Sequence, residues 1–124
     1  MAQTVLVVDD SATMRQQTRT LLQTNGYTVV EAGNGAEGLD AAKGAGGNIG
    51  LVIVDVNMPV MNGIEMIGKL RKMDSYGKTP IFVLTTESSG NVVSQGKAAG
   101  ATAWIVKPFN PQILLAAVKK VLPA

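Results

Sequence analysis

The chain has 124 residues, 46% of them hydrophobic, a net charge of +2, and neither cysteine nor histidine. That length suits one domain with a single core, and the missing Cys and His exclude a disulfide framework, a thiolate or imidazole metal site and a phosphohistidine carrier. Scattered Lys and Arg with only 4% aromatics exclude the basic stripe and stacking platform of a nucleic-acid binder.

The apolar runs are short and broken by Asp, Gly or Pro, well below membrane-spanning length, so no membrane association is expected. Met-Ala-Gln-Thr runs straight into Val5 to Val8 with no basic leader, and a cytoplasmic location is expected. Arg15, Arg19, Lys69, Arg71, Lys72, Lys119 and Lys120 read as solvated helix faces.

In chain order, Val5 to Val8 is the first apolar, β-branched segment and predicts a buried strand. A helix follows, with Met14, Leu21 and Leu22 near helical spacing, Ser11 or Thr13 as cap and Asn25-Gly26 as stop. Tyr27 to Val30 predicts the second strand; Ala36, Leu39 and Ala42 then mark a weak helix that dissolves in Gly44 to Gly50. Leu51 to Val54 predicts the third strand, and Asn62 caps a helix with Ile64, Ile67 and Leu70 on its apolar face. Ile81 to Leu84 is the fourth strand. The helix expected over Ser88 to Gly100 contains Gly90 and Gly96, each costing about 1 kcal/mol against Ala, so low local stability is expected there. Ala103 to Val106 is the fifth strand. The last helix has Asn110 as cap, Pro111 at its first position and Ile113, Leu114, Ala117, Val118 and Val121 on one face.

Five strand-helix repeats imply parallel strands joined by right-handed crossovers, with helices on both faces of the sheet. In such folds ligands bind beyond the carboxyl ends of the strands. Asp9-Asp10 follows the first strand, Asp55 the third, Thr85-Thr86 the fourth and Lys107 the fifth. Each alone has an ordinary explanation as a turn, cap or solvated residue. Together on one rim they do not. Three crowded carboxylates repel one another and call for a cation, and an all-oxygen, shallow site suits Mg2+. A divalent ion and Lys107 together balance the three negative charges. A site so balanced can take up the charge of a transferring phosphoryl group, and a carboxylate nucleophile would then form an acyl phosphate.

Asp9-Asp10, the run Asp55-Val56-Asn57-Met58-Pro59-Val60-Met61-Asn62-Gly63, Thr85, and Lys107-Pro108-Phe109 resemble the receiver domains of response regulators over essentially the whole chain, 1 to 124. With no output domain attached, the chain is most similar to the single-domain chemotaxis type. The resemblance implies the flavodoxin-like α/β fold, a five-stranded parallel sheet of order 2-1-3-4-5 with five helices. It implies Asp55 as phosphoacceptor and a Mg2+ ion held by Asp10 directly, Asp9 through water, Asp55 and the Asn57 backbone carbonyl. Lys107 would pair with the phosphoryl oxygens, the Thr85 hydroxyl would bond to one of them, and Lys107-Pro108 would be cis. Asn57 and Glu87 occupy the positions that tune acyl-phosphate hydrolysis. Output would couple Thr85 to an aromatic residue on the last strand, here Trp104 where Tyr or Phe is more usual, and Thr86 stands in place of a small residue and would crowd the space vacated. The implied partners are a histidine kinase and an effector protein, the flagellar motor switch or another, met by a monomer through the face of the fourth helix, fifth strand and fifth helix. Such a chain is no conventional enzyme, although it catalyses its own phosphoryl transfer and dephosphorylation.

Other uses of the fold are a phosphorelay intermediate or phosphate sink, and a pseudo-receiver that binds without phosphorylation; the complete set of strand-end residues opposes the last. A haloacid-dehalogenase-like phosphatase wants a second Asp where Asn57 stands. A flavodoxin wants a hydroxyl- and Gly-rich phosphate loop where Asp9-Asp10 stands.

Overall fold

The computed structural model describes residues 3–123. Strands β1 (Gln3–Val8), β2 (Tyr27–Ala32), β3 (Leu51–Val54), β4 (Ile81–Thr85) and β5 (Ala103–Val106) alternate with helices α1 (Ala12–Thr24), α2 (Gly35–Ala45), α3 (Gly63–Arg71), α4 (Gly90–Ala99) and α5 (Pro111–Val121). All strand pairs are parallel, in the order β2-β1-β3-β4-β5. This is the flavodoxin-like arrangement that the resemblance implies. Among the described residues, no helix is long and apolar enough to cross a membrane.

Strand periodicity divides the core in two, because successive side chains point to opposite faces of the sheet. Leu6, Val8, Val52, Val54 and Val83 pack with Leu39 and Ala42 of α2 and Met66, Ile67 and Leu70 of α3. Val5, Val7, Ile53, Phe82 and Leu84 pack on the other side with Leu22 of α1 and Leu114 and Val118 of α5. The unbroken apolar runs Val5 to Val8, Leu51 to Val54 and Ile81 to Leu84 are what burial on both faces requires of the central strands.

The helix starts follow from their caps. Ser11, not Thr13, caps α1, its hydroxyl accepting from Met14 N. Asn34, Asn62 and Asn110 accept first-turn amides of α2, α3 and α5, and Ser89 does so for α4. Helix α4 buries only Gly96, in keeping with the low stability expected from its glycines. Ile113 was expected on the buried face of α5 but is 66% exposed; the face turns on Leu114 and Val118, and Ile113 lies off it.

Two features had no signal in apolar spacing. A 3-10 turn, Asp74–Tyr76, precedes β4 and buries Tyr76, whose hydroxyl donates to Ala42 O at 2.6 Å and accepts from Gly47 N at 3.1 Å. Arg71 is not the solvated residue expected. Its guanidinium donates to the carbonyls of Tyr76, Thr79 and Gly100 at 2.6 to 3.1 Å, tying the end of α3 to the approaches of β4 and β5. Its desolvation lowers the guanidinium pKa, yet the three carbonyls occupy its planar fork as no ammonium can. We expect Arg71→Ala to lower unfolding free energy by about 2 kcal/mol, the scale of lost charge-assisted hydrogen bonds, and Arg71→Lys to recover little of it; urea denaturation of the three proteins measures this.

Candidate functional site

Register brings the strand-end residues together. Val8 pairs with Val54, so Asp9 and Asp55 emerge side by side, and the ladder runs on through Asp55 N to Val8 O at 3.0 Å and Asp9 N to Ala32 O at 3.1 Å. Thr85 pairs with Val106, and Lys107 N donates to Thr85 O at 2.7 Å. The Lys107 side chain thereby reaches back across the sheet ends toward both aspartates.

Asp9 is 5% exposed, Asp55 9%, and Asp10 faces solvent. One carboxylate oxygen from each lies within 4.8 Å of the others. Lys107 Nζ donates to Asp9 Oδ2 at 2.7 Å and to Asp55 Oδ2 at 3.3 Å. Burial opposes the charge on Lys107, but the hydrogen bond to Asp9 and the fields of Asp55 and Asp9 outweigh it and hold its pKa above the ordinary lysine value. The remaining oxygens are engaged through the backbone: Asp9 Oδ1 accepts from Ser11 N at 2.9 Å and Asp55 Oδ1 from Asn57 N at 3.4 Å. Two buried carboxylates beside an exposed one, with no nitrogen or sulfur donor among them, fit a hard divalent cation such as Mg2+.

Three neighbours that sequence reasoning missed support this arrangement. Arg15, expected to be solvated, donates to the Asp9 carbonyl and to Glu31 at 3.2 Å, bracing the β1 end against β2. Gly63 opens α3 so close to the acceptor strand that a Cβ there would lie 2.1 Å from Asp55 O; only the neighbouring Asn62-Gly63 pair hinted at a turn. Val60, 82% exposed, has φ 68°, a left-handed conformation unusual for a β-branched residue, and Met61 N closes the turn on Pro59 O at 2.7 Å. The Lys107-Pro108 peptide is cis.

On the β4 side, Thr85 is fully buried and its hydroxyl accepts from Glu87 N at 3.2 Å. Trp104 is half-buried against the α2–α3 side of the core, and its indole N–H donates to Glu87 O at 2.9 Å. A Cβ on Gly96 of α4 would lie 2.3 Å from Trp104 Cζ3. The glycine that weakens α4 is therefore the seat of the indole ring. Thr86, expected to crowd that space, is exposed.

Comparison with known proteins agrees with the geometry. The model of the response regulator receiver domain matches residues 5–119. Chemotaxis protein CheY1 of Helicobacter pylori is 39% identical over 119 residues, 95% of each chain. Chemotaxis protein CheY4 of Vibrio cholerae superposes with a TM-score of 0.92 at 46% identity, covering 98% of this chain and all of that one. The CheX-CheY complex of Borrelia burgdorferi with BeF3 and Mg2+ superposes with a TM-score of 0.88 at 27% identity over 96% and 88% of the two chains. Its sequence, strand order and paired relatives together show that this chain belongs to the response regulator receiver domain family, in CheY-like form.

Proposed function

We propose that this receiver accepts a phosphoryl group from a histidine kinase on Asp55 in a Mg2+-dependent reaction, and signals to a protein partner in chemotaxis through its α4-β5-α5 face. The observation that carries this is the buried Lys107 ammonium spanning the Asp9 and Asp55 carboxylates, beside an exposed Asp10. That the Borrelia relative is found with Mg2+, BeF3 and a partner protein supports the reading. Asp9, Asp10, Asp55 and the Asn57 carbonyl would hold the ion. When bound, Mg2+ supplies positive charge to the carboxylates and to the oxygens of the transferring group.

In the forward step an Asp55 carboxylate oxygen attacks phosphorus, the P–N bond to the donor imidazole breaks, and the imidazole leaves with its electron pair and takes up a proton. Lys107 already points at Asp55, so its charge meets the oxygens that arrive, and no reorganisation is needed at that moment. Hydrolysis by water then restores Asp55, with Asn57 and Glu87 setting access to the acyl phosphate. Asn57 N donates to Asp55 Oδ1 at 3.4 Å and Glu87 N to the Thr85 hydroxyl at 3.2 Å, while Glu87 Oε1 accepts from Ser89 N at 3.2 Å, which ties its side chain to the start of α4.

Output follows from Glu87, where Thr85 and Trp104 meet. The Thr85 hydroxyl serves the Glu87 amide and the Trp104 N–H serves the Glu87 carbonyl. Drawing Thr85 toward the phosphoryl group removes the first of these bonds and shifts the peptide that anchors the indole. The consequence reaches α4, which buries little and yields easily. Val106 at 45% and Ile113 at 66% exposure give this face the apolar contacts that a protein partner takes up. A cytoplasmic location goes with this role.

Intact mass after incubation with phosphoramidate should show one added phosphoryl group in wild type with Mg2+, and none without Mg2+ or in Asp55→Asn; no gain in wild type would return the chain to phosphorylation-independent binding. Trp104 fluorescence should change on adding beryllofluoride with Mg2+. In Lys107→Ala that response should weaken by about tenfold in beryllofluoride concentration, equivalent to 1.4 kcal/mol, while Mg2+ itself still binds; equal titrations would remove Lys107 from the phosphoryl-binding role.

A further inference from the structure

We propose that the groove between α2 and α3 docks an acidic, amphipathic helical segment of a protein partner. It encloses about 420 Å³, and none of its lining residues belongs to α4, β5 or α5. Its floor is apolar: Leu39 is buried, and Ala36, Met61 and Met73 are half-buried. Methionines are unbranched and polarizable, so these walls adapt to whatever apolar side chain enters.

The rim carries the opposite chemistry. Lys43 of α2 and Lys69 and Lys72 at the end of α3 are exposed along it, against the single carboxylate of Asp40. Lys43 and Lys72 make no ion pair among the described residues, and Lys69 reaches Glu65 only at 3.9 Å with both side chains about half exposed, a pair of little worth in water. Three lysines against one lining carboxylate thus leave net positive charge over an apolar floor. The lysines alone would also attract the phosphates of a polyanion, but base stacking needs aromatic rings and none lines this groove, whose apolar floor a polyanion would leave unused. A peptide helix with apolar anchors on one face and Asp or Glu beside them matches both the floor and the rim.

Length agrees as well. Helix α2 has 11 residues and α3 has 9, giving walls of about 15 Å at 1.5 Å per residue, enough for some three turns of a bound helix. One end of the groove is Met61, whose carbonyl accepts from Gly35 N at 3.3 Å at the start of α2. An occupant would therefore press on the loop that follows Asp55. The docking itself depends on the groove's own residues and not on phosphorylation.

The test uses the full chain, labelled with 15N, titrated with a synthetic helical peptide bearing Leu on one face and Glu on the other. We expect amide shifts gathered on residues 36–43 and 69–73, absence of binding by a peptide of the same composition with Leu scattered, and affinity about tenfold weaker or worse in the double variant Lys43→Glu with Lys72→Glu. The double variant Lys119→Glu with Lys120→Glu on α5 should bind as wild type does. Shifts centred on another face, equal losses in both double variants, or equal binding of the scattered peptide would overturn the proposal. So would tighter binding of a single-stranded oligonucleotide or of phosphatidylserine vesicles at the same lysines, which would reassign the groove to a polyanion.

Discussion

The molecule depends on a conflict of charge at the carboxyl ends of its strands. Parallel pairing in register forces Asp9 and Asp55 side by side in a place where little water reaches them, and like charges so placed repel. The Lys107 ammonium, carried to the same point by β5, answers both. Burial lowers the pKa of such a lysine, and the two carboxylates more than offset it. The cluster is therefore tolerated only as a set, and it stands ready to exchange one cation for another or to receive a further anion beside it. The receiver's chemistry grows from this balance and not from any one residue.

The rest of the architecture holds that set in place at close tolerance. The two-sided core fixes the height of each strand end, Gly63 lets α3 begin against the Asp55 carbonyl, and Arg15 pins the Asp9 backbone to its neighbour strand through Glu31. Arg71 does for the lower loops what Arg15 does for the upper ones. These two arginines carry structure; the exposed lysines of α2 and α3 leave their charge at the surface.

Strands and strand-end residues were legible in the sequence because burial on both faces demands unbroken β-branched runs, and because a charged residue directly after such a run has few places to go. Caps were legible for the same local reason: Asn62 and Asn110 act within three residues of themselves. What could not be read depends on approach between distant segments. Arg71 binds a carbonyl 29 positions away, Tyr76 binds one 34 positions away, and Gly96 carries meaning only once Trp104 is known to lie on it. Ile113 misled because helical spacing gives the period of a face but not its exact centre.

The contact of Gly96 with Trp104 makes two positions on different elements into one unit of volume. Adding a methyl group to the helix leaves no room for the indole, and shrinking the indole alone leaves a void that the helix cannot fill. Neither residue can change usefully before the other. In this chain the large ring on β5 therefore requires the bare helix turn facing it, and moving Trp104 into a scaffold with a bulkier residue at that turn would carry over the chromophore without its fit.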